Sequence, residues 1–192
     1  LIISTSKPED FMFFAGLPHL ETGSVIADAD IAIEMLERSV PETFESRLAI
    51  LAEAKCRDIA EFNRRHEDKL PPLVVIVDEF ADLADQLAGN KSRRNAFYTQ
   101  IRRIAQLGRS RGVHLVLCTQ RPSADLVPTN IRNLMNARVA LRVNDSVASR
   151  MILDESGAEH LQFHGDMLFK EHATVVRAQS YLTESVDLEA VL

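Results

Sequence analysis

The sequence predicts an α/β fold, a mostly parallel sheet flanked by helices with a β-hairpin near its end. Three observations carry this. Leu73-Val74-Val75-Ile76-Val77 is a run of five apolar residues that stops at Asp78-Glu79. Such a run, apolar on both faces, is what a central strand of a covered parallel sheet needs. A second apolar run, Val113-His114-Leu115-Val116-Leu117-Cys118, stops in the same abrupt way at Thr119-Gln120. Between and around these runs lie stretches with helical periodicity, and strands alternating with helices argue for a layered α/β domain.

The elements follow in order. Leu1-Ile2-Ile3 reads as a short buried strand, and Ser4-Thr5-Ser6-Lys7-Pro8 as a polar turn. Residues 11–14 make one helical turn, closed by Gly16 and Pro18. Val25-Ile26 is another brief strand. Asp28 or Asp30 caps a helix with Ile31, Met35, Leu36 and Val40 on one face. Pro41 permits a new helical start, and the next helix runs over about 42–63, with Leu48, Leu51, Ala52, Ile59 and Phe62 inward. The charged residues 64–69 form a solvated connection. Pro71-Pro72 mark the start of the strand 73–77, because neither donates a ladder hydrogen bond.

A helix near 80–87 comes next, and Ala88-Gly89-Asn90 breaks it. Ser92 caps a longer helix to Leu107, with Phe97, Ile101, Ile104 and Leu107 inward and Gly108 and Gly112 punctuating its end. After the strand 113–118, a short helix spans about 128–135. Residues 138–143 alternate as a third strand, and 146–153 are helical. Residues 166–169 and 173–176 pair as a terminal hairpin about Lys170-Glu171-His172.

With 192 residues the chain fits a single domain, 1–192, with a substantial core. Its 46% hydrophobic and 26% charged residues are ordinary for a globular protein. The net charge of −6 gives no global sign of a nucleic-acid binder, so any such surface is local. Cys56 and Cys118 stand in no metal-ligand spacing and read as buried thiols of a reducing cytoplasm. His114, within a strand, reads as a satisfied core residue. No apolar run reaches membrane-spanning length. The chain opens on Leu1 and looks excised from something longer.

Two acids at the carboxyl end of a central strand sit where open α/β sheets bind ligands. In a Walker B reading, Asp78 holds Mg²⁺ through its water shell, and Glu79 orients or deprotonates the water attacking a γ-phosphate. The plainer reading makes the pair an N-cap for the helix beginning at Phe80. Thr119-Gln120, ending a neighbouring strand, suits a γ-phosphate sensor; alone it is equally an ordinary strand-end turn. The Gly-x-x-x-x-Gly-Lys-Ser/Thr loop that cradles phosphates is missing, since none of the seven glycines is followed by lysine. Half an ATP site is therefore present, and the P-loop is expected upstream of Leu1 or on a different chain.

Between Gln86 and Ala124 there is no acid but eight basic residues: Lys91, Arg93, Arg94, Arg102, Arg103, Arg109, Arg111 and Arg121. Part of this run suits a polyanion path and part an arginine finger, against the simpler reading of a solvated helix face.

Several segments together resemble the FtsK/SpoIIIE family of DNA translocases. They are Val75-Ile76-Val77-Asp78-Glu79-Phe80-Ala81-Asp82-Leu83, residues 104–123 with Gly108-Arg109-Ser110-Arg111-Gly112 and Thr119-Gln120-Arg121-Pro122-Ser123, and Ser149-Arg150-Met151-Ile152-Leu153-Asp154. Gly157-Ala158-Glu159, Gly165-Asp166-Met167-Leu168 and Gly16-Leu17-Pro18-His19-Leu20 fit as well. The resemblance implies the C-terminal part of a RecA-like ATPase core that assembles as a ring, usually hexameric, around double-stranded DNA and steps along it with ATP and Mg²⁺. It implies Asp78 as the magnesium-associated acid, Glu79 as the catalytic acid, Gln120 as sensor beside Thr119 at the nucleotide, and Arg109 as a residue acting across the subunit boundary. Arg93, Arg94, Arg102 and Arg103 are the candidate DNA contacts. The winged-helix domain that often follows such motors is not in this sequence, which leaves chromosome, plasmid-transfer and restriction-associated members open. The rivals are a secretion ATPase of the same fold that moves protein, and a non-catalytic ring subunit in which the acids are idle.

Overall fold

A computed structural model describes residues 1–123 and 125–182. Its contacts divide the chain into two compact units, Leu1–Gln120 and Arg121–Leu192.

In the first unit, β1 (Ile2–Ser4), β2 (Leu73–Val77) and β3 (Val113–Leu117) form a parallel sheet in that order, so the strand ending in the acids is central. Ser4 pairs with Val77, and Val77 with Leu117, so all three carboxyl ends lie level. Burial along β2 alternates. Leu73, Val75 and Val77 are buried, and Val74 and Ile76 are half-buried, so one face is covered less fully than the two-sided apolar run predicts. The brief strand expected at Val25-Ile26 is a single parallel bridge, Ser4 to Ile26, on the outer side of β1.

The helix α1 (Ala29–Glu53) is capped by Asp28, whose Oδ1 accepts from the Ile31 N–H at 2.9 Å. It runs straight through Pro41, where two helices were expected. Proline forfeits one backbone bond, but Ile33, Leu36, Val40 and Phe44 are buried on both sides of it, and that burial stabilises one continuous helix. The expected continuation to residue 63 ends instead near Lys55, at φ 52°, and Asp58 caps a separate helix, α2 (Ile59–Arg65). Ile31 and Leu48, expected inward, are exposed.

The helix α3 (Phe80–Gln86) buries Phe80, Ala81, Leu83 and Ala84. The next, α4 (Lys91–Arg111), is capped by Asn90 rather than Ser92 and packs along α1. Leu107, expected inward, is exposed, and Gly108 takes the buried position. Gly108 does not end the helix. A Cβ there would lie 2.1 Å from the Val113 carbonyl oxygen, so glycine lets α4 back closely onto β3. The true end is Gly112, left-handed at φ 65°. Arg47 of α1 secures this corner: its guanidinium donates to the carbonyls of Arg111 (2.5 Å), Gly112 (2.9 Å) and Pro71 (2.6 Å).

In the second unit, the terminal hairpin is present as β5 (Asp166–Glu171) and β6 (Thr174–Gln179), turning through His172 at φ 55°. The strand expected over 138–143 is β4 (Ala137–Ala140), and it pairs antiparallel with β5 in a sheet separate from the parallel one. The helix α5 (Thr129–Arg132) precedes β4, and α6 (Ser146–Leu153) lies between β4 and β5. The small core here is Ala140, Leu153, Ala158 and Leu161. Arg138 and Lys170 converge on Asp154 at 2.8 and 2.9 Å. Among the described residues no helix is long and apolar enough to cross a membrane.

Candidate functional site

The backbone at the end of β2 is fixed from both sides. The Asp78 N–H donates to the Ser4 carbonyl on β1 (2.8 Å), and the Phe80 N–H donates to the Cys118 carbonyl just past β3 (2.8 Å). Phe80, fully buried, stacks on Phe97 at 5.4 Å and meets the edge of Tyr98 at 5.7 Å. That aromatic cluster holds the residue after the acids against α4.

Glu79 lies between these restraints in the left-handed region, φ 48°, ψ 56°. For a residue with a Cβ this costs about 1–2 kcal/mol, and such strain persists only where the surroundings enforce it. Although Glu79 is the N-cap residue of α3, its side chain makes no capping bond. It turns toward β3 instead, accepting from Thr119 Oγ1 at 3.3 Å and from the Gln120 N–H at 3.2 and 3.4 Å, and it is buried. The N-cap reading of the acid pair is therefore wrong for Glu79. Asp78 is half-buried, and its Oδ2 accepts from Thr5 Oγ1 at 2.8 Å.

The parallel sheet thus brings together Asp78, Glu79, Thr119 and the backbone of Gln120. Asp78 offers a hard oxygen ligand, and no group of three or more His, Cys, Asp or Glu able to hold a metal exists among the described residues. Mg²⁺ keeps most of its water and takes one or two carboxylates together with nucleotide phosphates, so a carboxylate such as Asp78 could hold it. Cys118, expected in a buried strand, lies past the end of β3 and is exposed. Partial desolvation of its thiol, then the Asp78 and Glu79 carboxylates, push its pKa up, so it is a poor nucleophile. His114 is also exposed, because β3 turns His114 and Val116 away from the covered face; it is not a core residue.

Arg109 does not join this cluster. It lies before the amino end of β3, whereas the acids lie level with its carboxyl end, roughly 16 Å of strand away. Arg109 and Arg102 share one exposed face of α4 with Lys91, Asn95, Thr99 and Gln106. Arg103 is half-buried over the Phe44 ring at 5.5 Å, beside Arg111 at 4.9 Å, and Arg94 lies over Tyr98 at 5.6 Å. Arg93 is engaged by Asp30 at 3.3 Å and Glu34 at 3.0 Å on α1. Sequence reasoning missed Thr5, taken only as part of a turn. The available signal was its place directly after a short apolar strand, the same place Asp78 and Cys118 hold.

Comparison with known proteins bears on this arrangement. A model of the FtsK/SpoIIIE family matches residues 5–124, which include every element of the cluster. The chain belongs to the FtsK/SpoIIIE family. The DNA translocase FtsK of Helicobacter pylori strain J99 is 37% identical over 178 residues, covering 91% of this chain and 20% of that protein. The FtsK of Campylobacter jejuni strain NCTC 11168 is 35% identical over 198 residues, covering 100% of this chain and 20% of that one. The chain therefore spans about a fifth of these curated relatives. Among solved structures, the pCW3 conjugation coupling protein TcpA with ATPγS superposes with a TM-score of 0.76 at 26% identity, over 93% of this chain and 51% of that one. ATPases 2 and 3 of EssC from Geobacillus thermodenitrificans give 0.79 at 19% identity, over 99% and 35%. The α/β fold is that of ATPase domains, as the sequence predicted.

Proposed function

We propose that residues 1–192 are part of the RecA-like core of an ATP-driven motor that translocates along double-stranded DNA as a homo-oligomeric ring, hexameric by family resemblance, on the cytoplasmic side. The observation that carries this is the Asp78-Glu79 pair at the end of the central parallel strand, with Glu79 bonded to Thr119 and Gln120 at the end of the next. In this reading the phosphate-binding loop comes from outside these residues, since no glycine here precedes a lysine. Asp78 would hold the Mg²⁺ of Mg-ATP, and the ion, when bound, would neutralise charge on the phosphates. Glu79 accepts the proton of the attacking water once its carboxylate leaves the Thr119 and Gln120 donors. Those bonds make the occupancy of the nucleotide site felt along β3. Arg109, distant from its own acids, acts on the neighbouring subunit's nucleotide.

The exposed, acid-free face of α4 supports duplex binding. Arg102 is the leading phosphate contact, Arg94 and Arg103 follow because they lie half-buried over the Tyr98 and Phe44 rings, and Arg93 contributes least because Asp30 and Glu34 already neutralise it. The test is ATP turnover and DNA affinity of the full-length protein across a salt series. Duplex DNA should stimulate turnover. Arg102→Gln should lower affinity for all sequences and reduce the logarithmic salt slope by about one per engaged subunit, and Arg93→Gln should change it less. If duplex DNA neither binds at low salt nor stimulates turnover, while a protein substrate does, the family's secretion-type activity replaces this reading.

A further inference from the structure

Resting on the reading of Asp78 as the magnesium-associated acid, we propose that Thr5 is a positioning residue, whose hydroxyl orients the Asp78 carboxylate for the ion. Thr5 is fully buried, although it follows a three-residue strand and belongs to a polar turn. Its N–H donates to the Ile26 carbonyl at 2.9 Å, which fixes its backbone on the outer side of the sheet. Its Oγ1 accepts from the Lys7 N–H at 3.0 Å and lies 2.8 Å from Asp78 Oδ2.

A hydroxyl has one proton to give. The Lys7 amide already donates into the Thr5 oxygen, so the proton is directed at Asp78, and Oδ2 must accept it. The bond therefore fixes which carboxylate oxygen is engaged and how the carboxylate is turned. The next residue repeats the device, with Ser6 Oγ donating to Asp82 Oδ2 at 3.2 Å on the first turn of α3. Residues 5 and 6 thus hold the end of β2 and the start of α3 by side chains, while the Ser4 carbonyl holds the Asp78 N–H. Partners behind a metal-associated ligand typically change metal affinity 10–100-fold when removed, because the ligand must then be oriented at the moment of binding.

The experiment uses the full-length protein with a non-hydrolysable ATP analogue, and reads Mn²⁺ binding by electron paramagnetic resonance. Thr5→Val keeps the shape and removes the hydroxyl, so Mn²⁺ affinity should fall about tenfold while metal-free nucleotide affinity is unchanged. Thr5→Ser restores the hydroxyl without the methyl and should bind Mn²⁺ within about twofold of the parent. If Thr5→Val does not fold, Thr5→Ala against Thr5→Ser gives the same comparison. Mn²⁺ affinity unchanged in Thr5→Val, or weakened equally in Thr5→Ser, would overturn the proposal and leave Thr5 a packing residue. Asp78→Asn separates the two levels. If it weakens Mn²⁺ binding and Thr5→Val does not, only Thr5 loses its role; if Asp78→Asn has no effect, the reading of Asp78 fails with it.

Discussion

Replacing Gly108 by alanine tests the contact that sets β3 against α4. The added Cβ would stand 2.1 Å from the Val113 carbonyl oxygen and 3.2 Å from its carbon, against ordinary contact distances of about 3.5 Å. Both atoms are backbone, so no rotamer change relieves the clash, and α4 must shift by about 1 Å. Overpacking of a well-packed interior costs about 1–3 kcal/mol, and rigid backbone on both sides argues for the upper end. Alanine's better helix propensity offsets about 1 kcal/mol, leaving a net loss of about 2 kcal/mol. Hydrogen exchange of the β3 amides in the full-length protein reads this locally, and the expected change is about thirtyfold faster exchange through that loss. Gly89→Ala is the control, since its Cβ meets nothing within 4 Å, and it should leave exchange unchanged. Because Thr119 and Gln120 ride on the end of β3, ATP turnover should fall in Gly108→Ala and not in the control. Exchange in Gly108→Ala within twofold of the parent would refute the close approach and the reasoning built on it.

Two other outcomes follow from the structure. Glu79→Gln in the full-length protein should keep nucleotide binding and lose turnover by about 10²–10⁴-fold, measured by single-turnover hydrolysis; turnover at the parent rate would make the acid pair idle and favour a non-catalytic ring subunit. Asp166 is held down to about 2 from 3.8, first by the Arg177 guanidinium at 2.6 Å and then by the Gln162 N–H. A depressed carboxylate stabilises the fold above its unfolded pKa and loses that contribution as pH falls toward its folded value. Urea unfolding should therefore show the parent's advantage over Asp166→Asn shrinking between about pH 4 and pH 2, and an advantage independent of pH there would show that the ionised pair is not its source.

What the sequence alone determined is what short-range pattern determines. An unbroken apolar run bounded by Pro72 and Asp78 is a strand whatever surrounds it, and an acid pair at its end can be located without knowing any neighbour. The same holds for the β3 run and for the hairpin about His172, each specified within a few residues. Tertiary structure decided the rest. Pro41 lies inside a helix because residues buried on either side outweigh one lost backbone bond. Gly108 is a packing glycine rather than a helix end, because its constraint comes from the Val113 carbonyl across the α4–β3 turn. Cys118 and His114 are exposed because burial depends on which faces of the sheet are covered, and a strand's own residues do not state this. The same limit hid the distance of Arg109 from its own acids and the engagement of Arg93 by α1. Thr5 is the furthest case: its hydroxyl meets Asp78 across 73 residues of sequence, and only the parallel pairing of β1 with β2 places the two at one edge.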